Sequence, residues 1–279
     1  MSNTYAWATD IHLDHLRSED AIKVFAEKLI EKNPTGVILT GDLSSAKRLV
    51  YHLSILETII ARPIYFVLGN HDYYESRIEE VRKTMKELVG MSSYLKYMSH
   101  VPYVSLTNST GLVGHDGWYD ALYGDVLRSR FGMSDWQYIG DFYEAGSYNR
   151  NESPQYKMDK IIPVARKLAH EGVTHMMNGI KKASKYHKNI IVATHVPPFE
   201  QAHIFEGAQG SPDTQPWFTS KMCGDMLLDA ARTYSNINFT VLCGHTHGEF
   251  VGKILPNLIV RVGGADYGNP VVQDIIEAL

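Results

Sequence analysis

The sequence predicts an α/β fold in which a parallel β-sheet is covered by helices. Three observations carry that expectation. Short, β-rich apolar runs alternate with segments of helical spacing through the first ninety residues. Five apolar runs stop abruptly at polar residues, three of them beside glycine, as strands do at the carboxyl edge of a sheet. And 279 residues, 44% of them hydrophobic, can bury a sizeable core without disulfide or metal staples.

Residues 5–9 read as a buried strand. Ser18 can cap a helix, with Glu19 and Asp20 favourable in its first turn. Ile22, Phe25, Ala26, Leu29 and Ile30 then recur at helical spacing until Pro34 and Gly36. A strand over 37–40 is followed by a helix over about 45–60, with Leu49, Leu53, Leu56 and Ile60 on one face and Pro63 beyond it. A strand from Ile64 to Leu68 leads to a third helix over 75–89, with Gly90 at its end. Further on, a strand pair at 103–106 and 112–114 is expected around a turn at 107–109. An irregular, aromatic-rich stretch at about 119–155 reads as a lid or insert with a small core of its own. Helices are expected across 156–188, interrupted near Gly172, then a buried strand at 190–193 and a Gly/Pro-rich loop at 199–216. A helix at 219–234 and strands at 239–243, 249–254, 258–262 and 271–276 close the chain. With no internal repeat or linker, residues 1–279 read as one domain.

The five strand ends carry the chemistry. They deliver Asp10 and His12, Asp42, Asn70 and His71, His195, and His245 and His247. In open α/β sheets, ligands bind outside the carboxyl ends of strands. Imidazoles, carboxylates and an amide together suit borderline divalent cations. They are too many for one tetrahedral ion, which needs about four ligands, and they fit two ions with one shared carboxylate. Such a pair can hold a hydroxide and clamp the oxygens of an in-line displacement, and phosphoryl transfer is its natural use.

As a set, Asp10-x-His12, Gly41-Asp42, Gly69-Asn70-His71-Asp72, Thr194-His195 and Gly244-His245-Thr246-His247 resemble the signature of the calcineurin-like metallophosphoesterase superfamily, in its order. The resemblance implies a two-sheet β-sandwich flanked by helices, a four-layer αββα fold with a dinuclear site at the strand ends. It implies that Asp10, His12, Asp42 and His247 hold one ion, and that Asp42, Asn70, His195 and His245 hold the other. Asp42 would bridge them, and His71 would be the acid assisting the leaving group. The ions would be two divalent metals, Mn, Fe, Zn or Ni, and the reaction would be hydrolysis of a phosphate mono- or diester by a metal-bound hydroxide. The phosphoprotein phosphatases of the superfamily carry Gly-Asp-x-x-Asp-Arg-Gly and Gly-Asn-His-Glu. Here Ser45, Ala46 and Lys47 stand where the first motif has Asp-Arg-Gly and Asp72 replaces the glutamate, which argues against a protein substrate and for a small phosphorylated one. Two alternatives are a nuclease of the same superfamily and a non-catalytic scaffold that keeps the fold.

The remaining residues have plainer readings. Asp72 is a turn former or N-cap. His115-Asp116-Gly117-Trp118 either lines the pocket or ends a strand with a packed tryptophan. His203 is a solvated loop histidine, and His52, His100, His170, His175 and His187 are surface or helix-face residues. Arg128 and Arg130 are solvated unless one meets a substrate phosphate. Cys223 and Cys243 are small core residues. A net charge of −4 argues against a nucleic-acid partner. No apolar run approaches the ~20 residues of a membrane span, and residues 1–4 do not begin a signal peptide, so a soluble, cytoplasmic protein is expected.

Overall fold

The computed structural model describes residues 3–145 and 156–279. Two mixed sheets stack face to face and helices cover both outer surfaces. The first sheet has the order β13-β1-β2-β3-β4, built from β1 (Asn3–Ala8), β2 (Gly36–Thr40), β3 (Ile64–Val67), β4 (Leu95–Tyr97) and β13 (Asp274–Ala278). Its strands are parallel except β13, which pairs antiparallel with β1. The second has the order β11-β12-β10-β7-β6-β5. It comprises β5 (Val104–Ser105), β6 (Thr110–Gly114), β7 (Asn189–Ala193), β10 (Asn238–Cys243), β11 (Phe250–Leu255) and β12 (Leu258–Val262). Its centre is parallel and its two edge strands are antiparallel. A hairpin of β8 (Ile204–Phe205) and β9 (Ala208–Gln209) stands apart.

Side-chain alternation along each strand builds the layers. In β1, Tyr5 and Trp7 pack between the sheets with Ile38, Val67, Ile191 and Leu242. The intervening Ala6 and Ala8 face α1 (Glu19–Ile30) and α2 (Ala46–Ile60), meeting Phe25, Leu29, Leu49 and Leu53. On the far side, Val192, Phe239 and Val241 pack against Met176, Ile180 and Leu227 of the helices Ile162–Ala183 and Lys221–Thr233. No helix among the described residues is long and apolar enough to cross a membrane.

Most expected elements are present, and the differences have local causes. Ser18 caps α1 by accepting from the Ala21 amide at 3.2 Å. α3 (Ile78–Met91) starts three residues later than its spacing suggested, because Glu75 adopts φ 66°, a left-handed conformation no helix admits. Gly90 lies inside it. The helix Ile162–Ala183 runs through Gly172 without a break. There the missing side chain lets the helix approach the 115–117 loop, where a Cβ would sit 2.9 Å from His115 Nδ1. The loop at 199–216 contains the β8–β9 hairpin, and β13 lies nearer the chain end than expected.

The 119–155 stretch was expected to hold its own small core, but its described part does not. It forms α4 (Asp135–Tyr138) and α5 (Gly140–Ala145), and Tyr119, Trp136 and Phe142 join the main cluster beneath α1–α3. Residues 146–155, with Tyr148, lie outside the described residues.

Asp116 resolves the choice left open for residues 115–118. It is buried after β6 and accepts from the Leu68 amide (2.8 Å) and the hydroxyls of Tyr73 (2.6 Å), Tyr97 (2.5 Å) and Ser99 (2.8 Å). Trp118 is buried and stacks on Phe142. The segment therefore ends a strand and ties the two sheets together. Asp116→Ala is expected to cost ~3–5 kcal/mol in urea unfolding, because four donors and the nearby Arg82 would lose a buried anion.

Candidate metal centre

The ends of β1, β2 and β3 from one sheet and of β7 and β10 from the other open on the same edge of the sandwich. Backbone bonds lace the loops that follow them. Asp10 N donates to Gly41 O (2.9 Å), His12 N to Asp42 O (3.0 Å) and Gly244 N to His195 O (2.9 Å). Carboxylates join in. His245 N donates to Asp10 Oδ1 (3.0 Å) and His71 N to Asp42 Oδ1 (2.9 Å). Asp72 does not join the ligands. It accepts from the amides of Leu43, Ser44 and Gly69 at 2.7–2.9 Å and so braces the two loops that carry Asp42 and Asn70.

The backbone here is strained. Asp10, His12, Asp42, His245 and His247 all lie in the left-handed region, with φ between 37° and 71°. Each such residue costs on the order of 1–3 kcal/mol, and strain of this kind clusters where geometry serves a site. The glycines serve close approach. A Cβ at Gly69 would collide with Asp42 Oδ1, and one at Gly244 with Asp10 Oδ2.

The seven candidate ligands form two groups around Asp42. One ligand atom each from Asp10, His12, Asp42 and His247 lie within 4.8 Å of one another. His12 Nε2 is 3.2 Å from His247 Nε2 and 3.7 Å from Asp42 Oδ2, and His247 Nε2 is 3.5 Å from Asp10 Oδ1. On the other side, His195 Nε2 is 3.4 Å from Asp42 Oδ1 and 3.2 Å from Asn70 Oδ1. The His245 ring lies 5.0 Å from that of His195. The two oxygens of Asp42 thus face different donor sets.

Outer partners set the ring tautomers. His195 Nδ1 is 2.9 Å from Thr40 O, so a proton there leaves Nε2 free to ligate. His245 Nε2 is 3.1 Å from Trp217 O, which leaves Nδ1. The electrostatics suit a cation. Asp42 is held well below the usual carboxylate range; burial opposes this but the charges of His195 and His71 outweigh it. His195 is raised to about 10, because the Asp42 and Asp10 carboxylates overcome the burial penalty, so a cation taking its Nε2 would displace a proton. Burial lowers His12 to about 4 and His245 to about 3, keeping both neutral as ligands must be. Two buried, ionised carboxylates among imidazoles and an amide fit divalent metals of the borderline class.

His71 stands apart from both groups. Its Nε2 is 3.9 Å from Asp42 Oδ2, its side chain is 23% exposed, and its ring stacks on Tyr74 at 4.3 Å. It lines a cavity of about 510 Å³ that opens over Asp42 and Asn70. Neither Arg128 nor Arg130 lines that cavity. Arg128 is exposed and pairs with Asp125. Three histidines depart from their expected exposure. His52 and His187 are buried and bonded to the hydroxyls of Ser44 and Ser105. His203 is also buried, stacked on Phe218 with its ring planes 9° apart.

Sequence reasoning missed Asp135. It is fully buried in α4, and its Oδ1 accepts from Asn70 Nδ2 (2.8 Å) and from the Tyr74 hydroxyl (2.8 Å). The first bond turns the Asn70 carbonyl oxygen toward His195. The second fixes the ring on which His71 stacks. No motif marks a lone Asp in a short helix 65 residues from its partner. Asp135→Ala is expected to weaken binding of any divalent cation that uses Asn70 by ~10–100-fold in a calorimetric titration, with Asp135→Asn retaining most of it. Equal affinity in all three proteins would contradict this role.

Residues 4–249 match the family model described as calcineurin-like phosphoesterase. Among solved structures, the chain is similar to phosphopantetheinyl hydrolase (PptH) from Mycobacterium tuberculosis. The TM-score is 0.65 at 16% identity, covering 100% of this chain and 96% of that one. It is also similar to a dimetal phosphatase from Danio rerio, with TM-score 0.56 at 11% identity over 94% and 88% of the two chains. A third similar structure is GAP50, the anchor in the inner membrane complex of Plasmodium, with TM-score 0.51 at 13% identity over 94% and 71%. At these identities the likeness is one of fold. No curated protein matches in sequence.

Proposed function

The chain belongs to the calcineurin-like phosphoesterase family, and from that premise we propose that it is a dinuclear metal-dependent hydrolase of a phosphate mono- or diester on a small substrate. Asp10, His12, Asp42 and His247 hold one cation; Asp42, Asn70, His195 and His245 hold the other. When bound, such a pair of divalent cations neutralises phosphoryl charge and lowers the pKa of water. The observation that carries this reading is the division of Asp42, with Oδ2 toward His12 and Oδ1 toward His195.

The residues of the chain do the rest. The outer partners of His195 and His245 and the bond that Asn70 donates to Asp135 preset the ligand atoms, so little reorganisation is left for binding. His71, outside both donor sets and facing the cavity, gives a proton from its ring to the departing oxygen. Tyr74 holds that ring in place by stacking. Protein stripped with a chelator and then reloaded with Mn, Fe, Zn or Ni tests the reading. Hydrolysis of p-nitrophenyl phosphate or its bis ester is expected only after reloading. Undiminished turnover by the stripped protein would contradict it.

A further inference from the structure

We propose that the cavity selects a phosphate ester whose alcohol portion is an uncharged apolar or aromatic group, and that it rejects esters bearing further anionic groups. This rests on the phosphoesterase reading above and names the substrate class of that same site. Away from the candidate ligands, the walls include Tyr74, Phe131, Met133, Phe205, Phe218 and Tyr267, with Ser134 and Thr246 also lining the cavity. Phe131, Phe205 and Phe218 pack against one another with ring centroids 5.0–6.0 Å apart. Phe218 in turn lies 5.0 Å from the His245 ring. Tyr267 lies 4.4 Å from the His12 ring and 5.0 Å from that of His247. The apolar wall therefore begins directly at the candidate ligands, where the ester oxygen of a bound phosphate would leave.

Charge sharpens the selection. None of the described residues lining the cavity is a lysine or arginine. The charged side chains there outside the ligand set are Glu206, at the tip of the β8–β9 hairpin, and Asp266, and both are exposed. A second phosphate or a carboxylate on the substrate would meet two carboxylates and, among the described residues of the walls, no compensating cation. Polyphosphates and nucleic acids are held through Lys and Arg contacts, which these walls do not offer. An apolar body gains from leaving water against the aromatic rings. Phe205 is the wall residue best suited to test this. It comes from the hairpin and is only partly buried, so its loss spares the sandwich core.

The test compares hexyl phosphate with its ω-carboxylate analogue, 6-(phosphonooxy)hexanoate, on Mn-reloaded protein. Both release a primary alkoxide, so leaving-group chemistry is matched. Hexyl phosphate is expected to show a KM lower by ~10-fold or more, and Phe205→Ser to raise that KM by ~10-fold with kcat nearly unchanged, the sign of uniform binding. The double variant Glu206→Gln, Asp266→Asn is expected to narrow the gap between the two esters. An equal or lower KM for the carboxylate ester, or no effect of Phe205→Ser, would overturn the proposal. If neither ester, nor the bis(p-nitrophenyl) diester, is turned over by metal-loaded protein, the hydrolase reading fails. Calorimetry with hexylphosphonate and 6-phosphonohexanoate then still decides the selectivity. Tighter binding of hexylphosphonate supports it, and equal or weaker binding overturns it.

Discussion

Asp42→Asn is expected to abolish hydrolysis, by ~10³-fold or more, since removing even an outer partner of a metal ligand costs ~10–100-fold. Asp42 sits between both donor sets, so on the proposed reading its charge would be the one contribution both cations share. An amide presents one neutral oxygen where the carboxylate presents two anionic ones. The fold should survive, because an Asn oxygen can still accept from His71 N, the bond made now at 2.9 Å. The sharper readout is thermal. A ligand that binds only the native state stabilises it by ~4 kcal/mol at a thousand times its Kd. The wild-type Tm should therefore rise on adding Mn, and the variant's should not. Retained turnover, or an undiminished metal-induced rise in Tm, would remove Asp42 from the bridging position.

His71→Ala is expected to lower kcat by ~10²–10⁴-fold with bound metal unchanged, the range for a positioned general acid. The geometric basis is its separation from the ligand clusters, its 3.9 Å distance from Asp42 Oδ2, and its place on the cavity wall. An acid matters most when the departing oxygen is basic. The loss should therefore be large for an alkyl ester and small for a p-nitrophenyl ester, whose leaving group departs without help. Equal losses on both substrates would count against proton donation. Loss of metal in the variant would make His71 a ligand instead.

Much of this site was legible in the chain because its signal is local. An apolar run that stops abruptly, three times of five at Gly, and then offers Asp, Asn or His announces a strand end and its cargo, and the five ends name all seven candidate ligands. The order β-α-β-α-β-α likewise follows from short-range spacing. What could not be read depends on groups that meet only after folding. The left-handed backbone at Asp10, His12 and Asp42 is held by bonds between β1 and β2 loops, and neither loop implies it alone. Asp135 looks like any helix-starting acid until Asn70 arrives opposite it. Gly172 resembles a helix breaker, yet it is a contact point for the 115–117 loop. His203 resembles a solvated loop residue, but the hairpin that follows folds it onto Phe218. The polar signature thus marks where strands end, while burial of lone polar residues reports on partners that spacing does not encode.

The most direct test of the shared-carboxylate centre is anomalous scattering from crystals grown with manganese. Two peaks are expected, one beside His12 and His247 and one beside Asn70 and His195, with Asp42 between them. A single peak, or two that leave Asp42 touching neither, would contradict it.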